Sequence, residues 1–214
     1  MKQSLFLGLV ACLYAIGIHA EAHQVTQTIH NTTITICAAP RYDITCATTE
    51  AIVNPANSML AHGGGIARAI SNASGPQLQI WSNKQPLHDG VRVAVGKAII
   101  SPSFDLNKKT IKYVIHTVGP DFSDPLQKQS GKKLLYDAWY NALIVADKQK
   151  ITSITFPSIS TGIFRCPKDV AATQAHRAIC DFLNDHPQTS VREIVIGLWE
   201  DTWEAYKTAF CPQP

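Results

Sequence analysis

The sequence predicts an α/β fold in which one sheet is covered on both faces by helices. After residue 30, short apolar runs rich in Val, Ile and Thr alternate with longer segments of helical periodicity. Most of the short runs are apolar at consecutive positions, as in strands that are buried on both faces. With 214 residues, of which 45% are hydrophobic and 16% charged, the chain can form one domain with a sizeable core.

Six short segments fit buried strands. They are Thr32–Cys37, Ala51–Val53, Val93–Ile99, Ile111–Thr117, Ile151–Phe156 and Val191–Leu198. Helices are predicted over Lys132–Lys148 and Lys168–Asn184, because apolar residues recur there at steps of three and four. A helix from Gly65 to about Ala73 and a short closing helix, Thr202–Phe210, complete the set. No linker or repeat divides the chain after residue 30.

The first twenty-two residues have the pattern of a signal peptide. Residues 1–3 form a positive leader, residues 4–18 are mostly apolar, and Ala20–Ala22 is a small-x-small cleavage site. We expect cleavage near Ala20 or Ala22, a secreted or periplasmic mature protein, and no membrane span after cleavage, because the apolar run is short. Leu9–Cys12 also fits a lipoprotein box, so anchoring at Cys12 is a minor alternative.

Charge and cysteine content narrow the range of partners. Nineteen Lys and Arg stand against sixteen Asp and Glu, and no run of five like charges occurs, so duplex nucleic acid is not expected as a partner. There is no C-x-x-C pair, and no histidine has zinc-ligand spacing to a cysteine. We therefore expect a monomer with no metal and no cofactor. The mature chain would retain five cysteines, so at least one thiol is expected to be unpaired.

Two loops follow predicted strands and precede predicted helices, which is where open α/β sheets bind ligands. His62–Gly65 contains a glycine triplet that leads directly into a helix, and Ser158–Phe164 is the second loop. The first is not a Walker loop, and Arg68 stands where a dinucleotide fingerprint needs its third glycine. A flexible turn is the alternative for the first loop. Two such loops facing each other could bind two linked phosphates through backbone N–H groups.

Five stretches together resemble the macrodomain family, whose members bind ADP-ribose. They are Asp43–Thr45, Ala51–Asn57, Gly63–Ile70, Val114–Pro120 and Phe156–Gly162. The resemblance covers nearly the whole mature chain and implies a single macrodomain over residues 23–214. It also implies a three-layer α/β/α fold with a mixed, mostly parallel central sheet. The implied partner is ADP-ribose or a mono-ADP-ribosylated protein.

The resemblance assigns three residues to adenine. Asp43 would accept a hydrogen bond from the exocyclic amine, and Ile44 would offer its backbone N–H nearby. Trp199 would stack on the base. The alternatives are a turn aspartate at a strand end for Asp43, a core side chain for Ile44 and a plain rim tryptophan for Trp199.

The resemblance assigns the diphosphate to backbone N–H groups rather than to charged side chains. These belong to Ile66 and Ala67 on one side and to Ser160, Thr161, Gly162, Ile163 and Phe164 on the other, and Gly63, Gly64 and Gly65 are also expected to bind the ligand. The Phe164 ring would pack beside the distal ribose, unless it lies in the core. Asn57 would bind the distal ribose and orient a catalytic water, unless it only caps the turn after Asn54–Pro55.

Two functional hypotheses remain: a hydrolase, which removes ADP-ribose from its carrier, and a reader, which only binds it. In MacroD-type hydrolases, an aspartate two residues after the glycine triplet is implicated in activating water, but this chain has Ala67 there. The leading hypothesis is hydrolysis of mono-ADP-ribose from acidic side chains or of O-acetyl-ADP-ribose. The alternative is a non-catalytic ADP-ribose reader. His62 is expected to be solvated, with a ribose contact as the alternative, and His116 is expected to be a hydrogen-bonded core histidine.

Overall fold

The computed structural model describes residues 23–108 and 110–211, and their strands form one sheet of seven. The strands are β1 (His23–Ile29), β2 (Thr32–Ala39), β3 (Ala51–Ala56), β4 (Ala98–Pro102), β5 (Tyr113–Val118), β6 (Ser153–Phe156) and β7 (Glu193–Trp199). Their order across the sheet is β1-β2-β7-β6-β3-β5-β4. The five inner strands are parallel, and each edge strand is antiparallel to its neighbour. The prediction of a mixed, mostly parallel sheet is confirmed.

Helices cover both faces of this sheet. They are α1 (Gly65–Ser74), α2 (Pro76–Asn83), α3 (Pro125–Gln129), α4 (Gly131–Lys148), α5 (Lys168–Asp185) and α6 (Trp203–Phe210). Buried residues of α4, α5 and α6 share one apolar cluster with the sheet, and those of α1 and α2 share another. The predicted three-layer α/β/α architecture is therefore confirmed.

Consecutive apolar residues in the central strands are divided between the two layers. In β3, Val53 packs with α4 and α5, whereas Ile52 packs with α1 and α2. On the first face, the ring of Trp139 in α4 stacks on Phe156 in β6 with 4.5 Å between centroids, and both side chains are fully buried. Burying one such side chain stabilises the fold by about 1.5–3 kcal/mol.

The predicted strand Val93–Ile99 is wrong in most of its length, because the strand found there, β4, begins only at Ala98. Gly96 has a φ of +82°, and its N–H donates to the carbonyl of Val118 at 2.7 Å. This left-handed residue belongs to a turn. Val93 is buried beside the turn in a small apolar cluster of its own, and its apolar character reflects that packing rather than a strand.

Strand β1 and helices α2 and α3 were not predicted. The side chains of β1 alternate between exposed and half-buried, and most are polar, which is typical of an edge strand. Helix α2 begins with Pro76 directly after Gly75 (φ +75°), a pair that resembles a break although proline is compatible with a first helical turn. The predicted signal peptide, residues 1–22, lies outside the described residues and stays a prediction. Within the described ranges, no helix is long and apolar enough to cross a membrane.

Candidate functional site

A cleft of about 590 Å³ lies at the carboxyl ends of β3, β6 and β7. These strands are parallel and adjacent in the order β7-β6-β3, so the loops that follow them meet at one edge of the sheet. The cleft brings together Asn57, Gly63–Ala67, Ser160–Phe164 and Trp199. It therefore unites every predicted site residue except Asp43 and Ile44.

The segment Gly63–Ala67 presents a row of backbone N–H groups. Helix α1 begins at Gly65, whose φ is +54°, and its first backbone bond runs from the N–H of Arg68 to the carbonyl of Gly64 at 3.1 Å. The N–H groups of Gly63–Ala67 have no acceptor among residues 23–108 and 110–211. The positive end of the helix dipole lies at the same place, and this combination is suited to binding an anion.

The segment Ser160–Phe164 presents a second row of N–H groups from the opposite side. Bonds from the N–H of Cys166 to Ser160 O (2.9 Å) and of Arg165 to Gly162 O (3.0 Å) close the loop. The N–H groups of Ser160–Phe164 themselves find no acceptor in the described part of the chain. Ser160 and Arg165 have φ values of +66° and +54°. A non-glycine residue in this region carries a strain of about 1–3 kcal/mol, typical of functional loops.

The two loops approach each other closely across the cleft. A β-carbon at Gly64 would lie 3.1 Å from Cδ1 of Ile163, a residue that is 72% exposed. Phe164 is half-buried and lines the cleft, so it is not a core phenylalanine. Trp199, at the β7 end, is 48% exposed and offers an aromatic face.

Asn57 both lines the cleft and caps a turn. Its Oδ1 accepts the N–H of Met59 at 3.1 Å and that of Ala61 at 3.0 Å, and its Nδ2 donates to Ala61 O at 2.7 Å. Asn57 therefore caps this turn and also lines the cleft. The second hydrogen of the Asn57 amide has no acceptor within the described ranges, so this group can still donate to a ligand. Its catalytic role stays a prediction.

A buried chain of polar side chains lies behind the glycine triplet. Asn54 Nδ2 is 3.2 Å from Nδ1 of His62 and 2.9 Å from Nδ1 of His116. Nε2 of His62 is 2.9 Å from Ser82 Oγ, and Nε2 of His116 is 2.9 Å from Ser101 Oγ. If the Asn54 amide donates to both rings, each ring is neutral and donates its own Nε2 proton to a serine hydroxyl.

The environment of both histidines favours the neutral form. Burial, together with the nearby His62 ring, lowers the pKa of His116 to about 3, and burial also lowers the pKa of His62. The prediction that His62 is solvated is wrong, because its ring is held between Asn54 and Ser82 and is 6% exposed. The prediction of a hydrogen-bonded core histidine at His116 is confirmed.

Asp43 and Ile44 do not line the cleft. Asp43 caps a short 3-10 turn, and its Oδ1 accepts the N–H and the hydroxyl of Thr45 at 2.9 and 2.7 Å. The side chain of Ile44 is buried in the core, which agrees with the alternative given for it in the sequence analysis. The preceding residue, Tyr42, packs so closely on Gly197 of the cleft that a β-carbon there would lie 2.1 Å from its ring. The adenine contacts of Asp43 and Ile44 stay predictions.

Sequence reasoning missed an ion pair in the lining. Nζ of Lys168 lies 2.7 Å from Oδ2 of Asp201, and in the described residues these two are the only charged side chains that line the cleft. Asp201 lies two residues after Trp199, the last residue of β7, so the rule that open α/β sheets bind ligands at strand ends could have found it. Across residues 23–108 and 110–211, no three His, Cys, Asp or Glu residues are grouped to hold a metal ion.

Comparison with known proteins places the cleft in a family context. A family model described as Macro domain matches residues 53–175. The chain is 41% identical over 169 residues to an uncharacterised protein of Thermotoga maritima; the match covers 78% of this chain but only 27% of that relative. It is 38% identical over 144 residues to a protein of Escherichia fergusonii named O-acetyl-ADP-ribose deacetylase, covering 67% of this chain and 78% of the relative.

The fold is also similar to a solved structure. The Oceanobacillus iheyensis macrodomain with ADP superimposes with a TM-score of 0.78 and 32% sequence identity. The match covers 89% of this chain and 96% of that one.

Proposed function

The chain belongs to the Macro domain family, and on this premise we propose that its cleft binds ADP-ribose and hydrolyses mono-ADP-ribosyl esters. The related macrodomain of Oceanobacillus iheyensis was solved with ADP, which supports a nucleotide diphosphate as the ligand. The name of the Escherichia fergusonii relative supports an ADP-ribosyl ester as the substrate class.

One observation carries the binding proposal: two opposed rows of backbone N–H groups, Gly63–Ala67 and Ser160–Phe164, line the same cleft without protein acceptors in the described ranges. The ten amides belong to residues that line one cleft, an arrangement suited to a diphosphate, whose oxygens accept several hydrogen bonds each. A cationic side chain is not needed. This explains how a chain of net charge +3, without a basic cluster, can bind a dianion.

The strand order gives the ligand its direction. The aromatic face of Trp199 lies at the β7 end of the cleft, the two amide rows lie over β6 and β3, and Asn57 lies at the end of β3. We therefore place adenosine at Trp199, the diphosphate between the two loops and the terminal ribose at Asn57. Stacking on an exposed tryptophan contributes about 1–3 kcal/mol per base.

Hydrolysis would proceed by positioning a water rather than by a carboxylate base. Ala67 provides no acid or base, and the one carboxylate of the described lining, that of Asp201, lies at the β7 end. The free N–H of Asn57 would hold the terminal ribose, and loop amides with a ligand phosphate oxygen would hold the water near the anomeric carbon. Proximity of this kind accelerates a reaction without strong base catalysis, so turnover is expected to be slow.

A non-catalytic reader is the second candidate, and the same residues favour it. The Asn57 amide is already engaged in three hydrogen bonds of its own turn, and no side-chain carboxylate of the described lining lies beside it. A cleft with this arrangement can bind the terminal ribose without activating water.

Calorimetry and a release assay test both parts of the proposal. ADP-ribose should bind at a single site, with AMP and NAD as weaker controls. A protein carrying carboxylate-linked mono-ADP-ribose, or O-acetyl-ADP-ribose itself, should release free ADP-ribose when incubated with the mature chain. Binding without release would assign the reader function, and absence of ADP-ribose binding would refute the proposal as a whole.

A further inference from the structure

Two contacts, rather than one, join Lys168 and Asp201 in the cleft. Nζ of Lys168 donates to Oδ2 of Asp201 at 2.7 Å and also to the backbone carbonyl of Asp201 at 2.9 Å. The two side chains are 44% and 63% exposed, and pairs at this level of exposure contribute little to folding. Because the pair contributes little to folding but lines the cleft, we consider a role for it in ligand selection.

The pair lies beside the expected position of the adenosine ribose. Lys168 is the first residue of α5, four residues after the end of the second amide loop at Phe164, and Asp201 lies two residues beyond Trp199. In the proposed orientation, which this inference takes from the proposed function, adenine lies on Trp199 and the diphosphate lies between the loops. The Lys168–Asp201 pair lines the same cleft, so we place the joining ribose beside it.

We propose that Asp201 determines specificity, selecting ADP-ribosyl ligands whose adenosine ribose carries free hydroxyls over those that carry a 2′-phosphate. Oδ1 of Asp201 has no donor within the described residues, so it can accept a hydrogen bond from a ribose hydroxyl. A phosphate at the same place meets a carboxylate of like charge. Lys168 offsets this repulsion only in part, because its ammonium group donates two of its three hydrogens to Asp201 and its charge is already balanced by that carboxylate.

Four proteins and two ligands test this selection by calorimetry. The ligands are ADP-ribose and ADP-ribose 2′-phosphate, and the proteins are the unmodified chain, Asp201→Asn, Lys168→Met and the double variant. The unmodified chain should prefer ADP-ribose by about tenfold or more, the range expected from a hydrogen bond to a charged group. Asp201→Asn should release Lys168 and bring the ratio of the two dissociation constants close to one. The double variant lacks the Lys168 charge, so its affinity for ADP-ribose 2′-phosphate should be lower than that of Asp201→Asn.

A matched control separates the local effect from net charge. Asp137 forms an exposed pair with Lys133 on α4, with 2.6 Å between Nζ and Oδ2, and does not line the cleft. Asp137→Asn removes the same charge and should leave the ratio unchanged.

Two results would overturn the inference: equal affinity of the unmodified chain for both ligands, or the same ratio in Asp201→Asn as in the unmodified chain. In either case ADP-ribose binding itself would stand, and the proposed function with it. A chain that binds neither ligand would instead refute the proposed function, and this inference would fall with it. Retention of the melting temperature in Asp201→Asn shows that the altered ratio does not come from misfolding.

Discussion

Gly119, directly after β5, lies against the hydroxyl of Ser160 in the second amide loop. A β-carbon at position 119 would be 2.2 Å from Ser160 Oγ and 2.6 Å from Cγ2 of Ile159, both far inside normal contact. Ser160 is buried, and its hydroxyl has no partner in the described part of the chain. The position of the loop therefore depends on the absence of a side chain at Gly119.

Gly119→Ala should displace this loop and weaken ADP-ribose binding by at least about tenfold, because a shift of the amide row misaligns several donors at once. Overpacking at this site should also lower the free energy of unfolding by about 1–3 kcal/mol. Calorimetry and urea denaturation measure the two effects. The double variant Gly119→Ala with Ser160→Gly lacks the hydroxyl that would clash with the new β-carbon, and glycine suits the φ of +66° at position 160. This second change should therefore restore part of the affinity. Affinity unchanged in Gly119→Ala would contradict this account of the loop.

Two substitutions at Asn57 separate its turn-capping role from its ligand role. Asn57→Asp keeps the oxygen that accepts the N–H groups of Met59 and Ala61 but loses the amide donor, whereas Asn57→Ala loses all three hydrogen bonds. Both should abolish release of ADP-ribose. Both should also lower the free energy of unfolding, Asn57→Ala by about 0.5–2 kcal/mol as for a lost cap, and Asn57→Asp because a carboxylate oxygen replaces the donor to Ala61 O. Release assays and urea denaturation give the comparison, and turnover retained in Asn57→Asp would remove the amide from catalysis.

Trp199→Ala should weaken ADP-ribose binding by about 1–3 kcal/mol through loss of stacking on adenine. Because about half of Trp199 is buried, the free energy of unfolding should also fall, by about 1–2 kcal/mol. Trp199→Phe keeps an aromatic face and serves as the control, with most of the affinity retained in calorimetry. Equal affinity of all three proteins would place adenine elsewhere.

Acid should destabilise the fold through His116. Its pKa is about 3 in the folded chain, below the ordinary value near 6.5, so folding favours the neutral ring. The stabilisation is complete above pH 6.5 and is lost as the pH falls toward 3, by up to about 1.4 kcal/mol per pH unit. Urea denaturation at pH 7 and pH 5 measures this loss. His116→Gln should show a clearly smaller loss, and an identical pH dependence would indicate that other groups cause it.

The architecture and most of the cleft could be predicted because they depend on local pattern. Consecutive apolar residues identified the buried strands, and the glycine triplet identified the helix start that carries the first amide row. The edge strand β1 could not be recognised in the same way, because it buries only half of each alternate side chain and most of those side chains are polar.

Contacts between distant parts of the chain could not be predicted. His62 was expected in solvent because it flanks a glycine turn, yet Ser82, twenty positions later, holds its ring in a buried site. The pairing of Lys168 with Asp201 joins the start of α5 to the residues after β7. Neither contact follows from spacing or composition, since both depend on how the loops pack against each other.

The two rows of N–H groups have a consequence for how this protein tolerates mutation. Alanine substitutions at Ile66, Ser160, Thr161, Ile163 and Phe164 would trim side chains and leave the binding amides in place, so they would underestimate the importance of both loops. Proline alone among the amino acids deletes an amide hydrogen. Proline also fixes φ at about −65°, so it would disturb the backbone at Gly65 and Ser160, whose φ values are +54° and +66°. Side-chain changes in these loops should therefore affect binding mainly where they alter the backbone conformation.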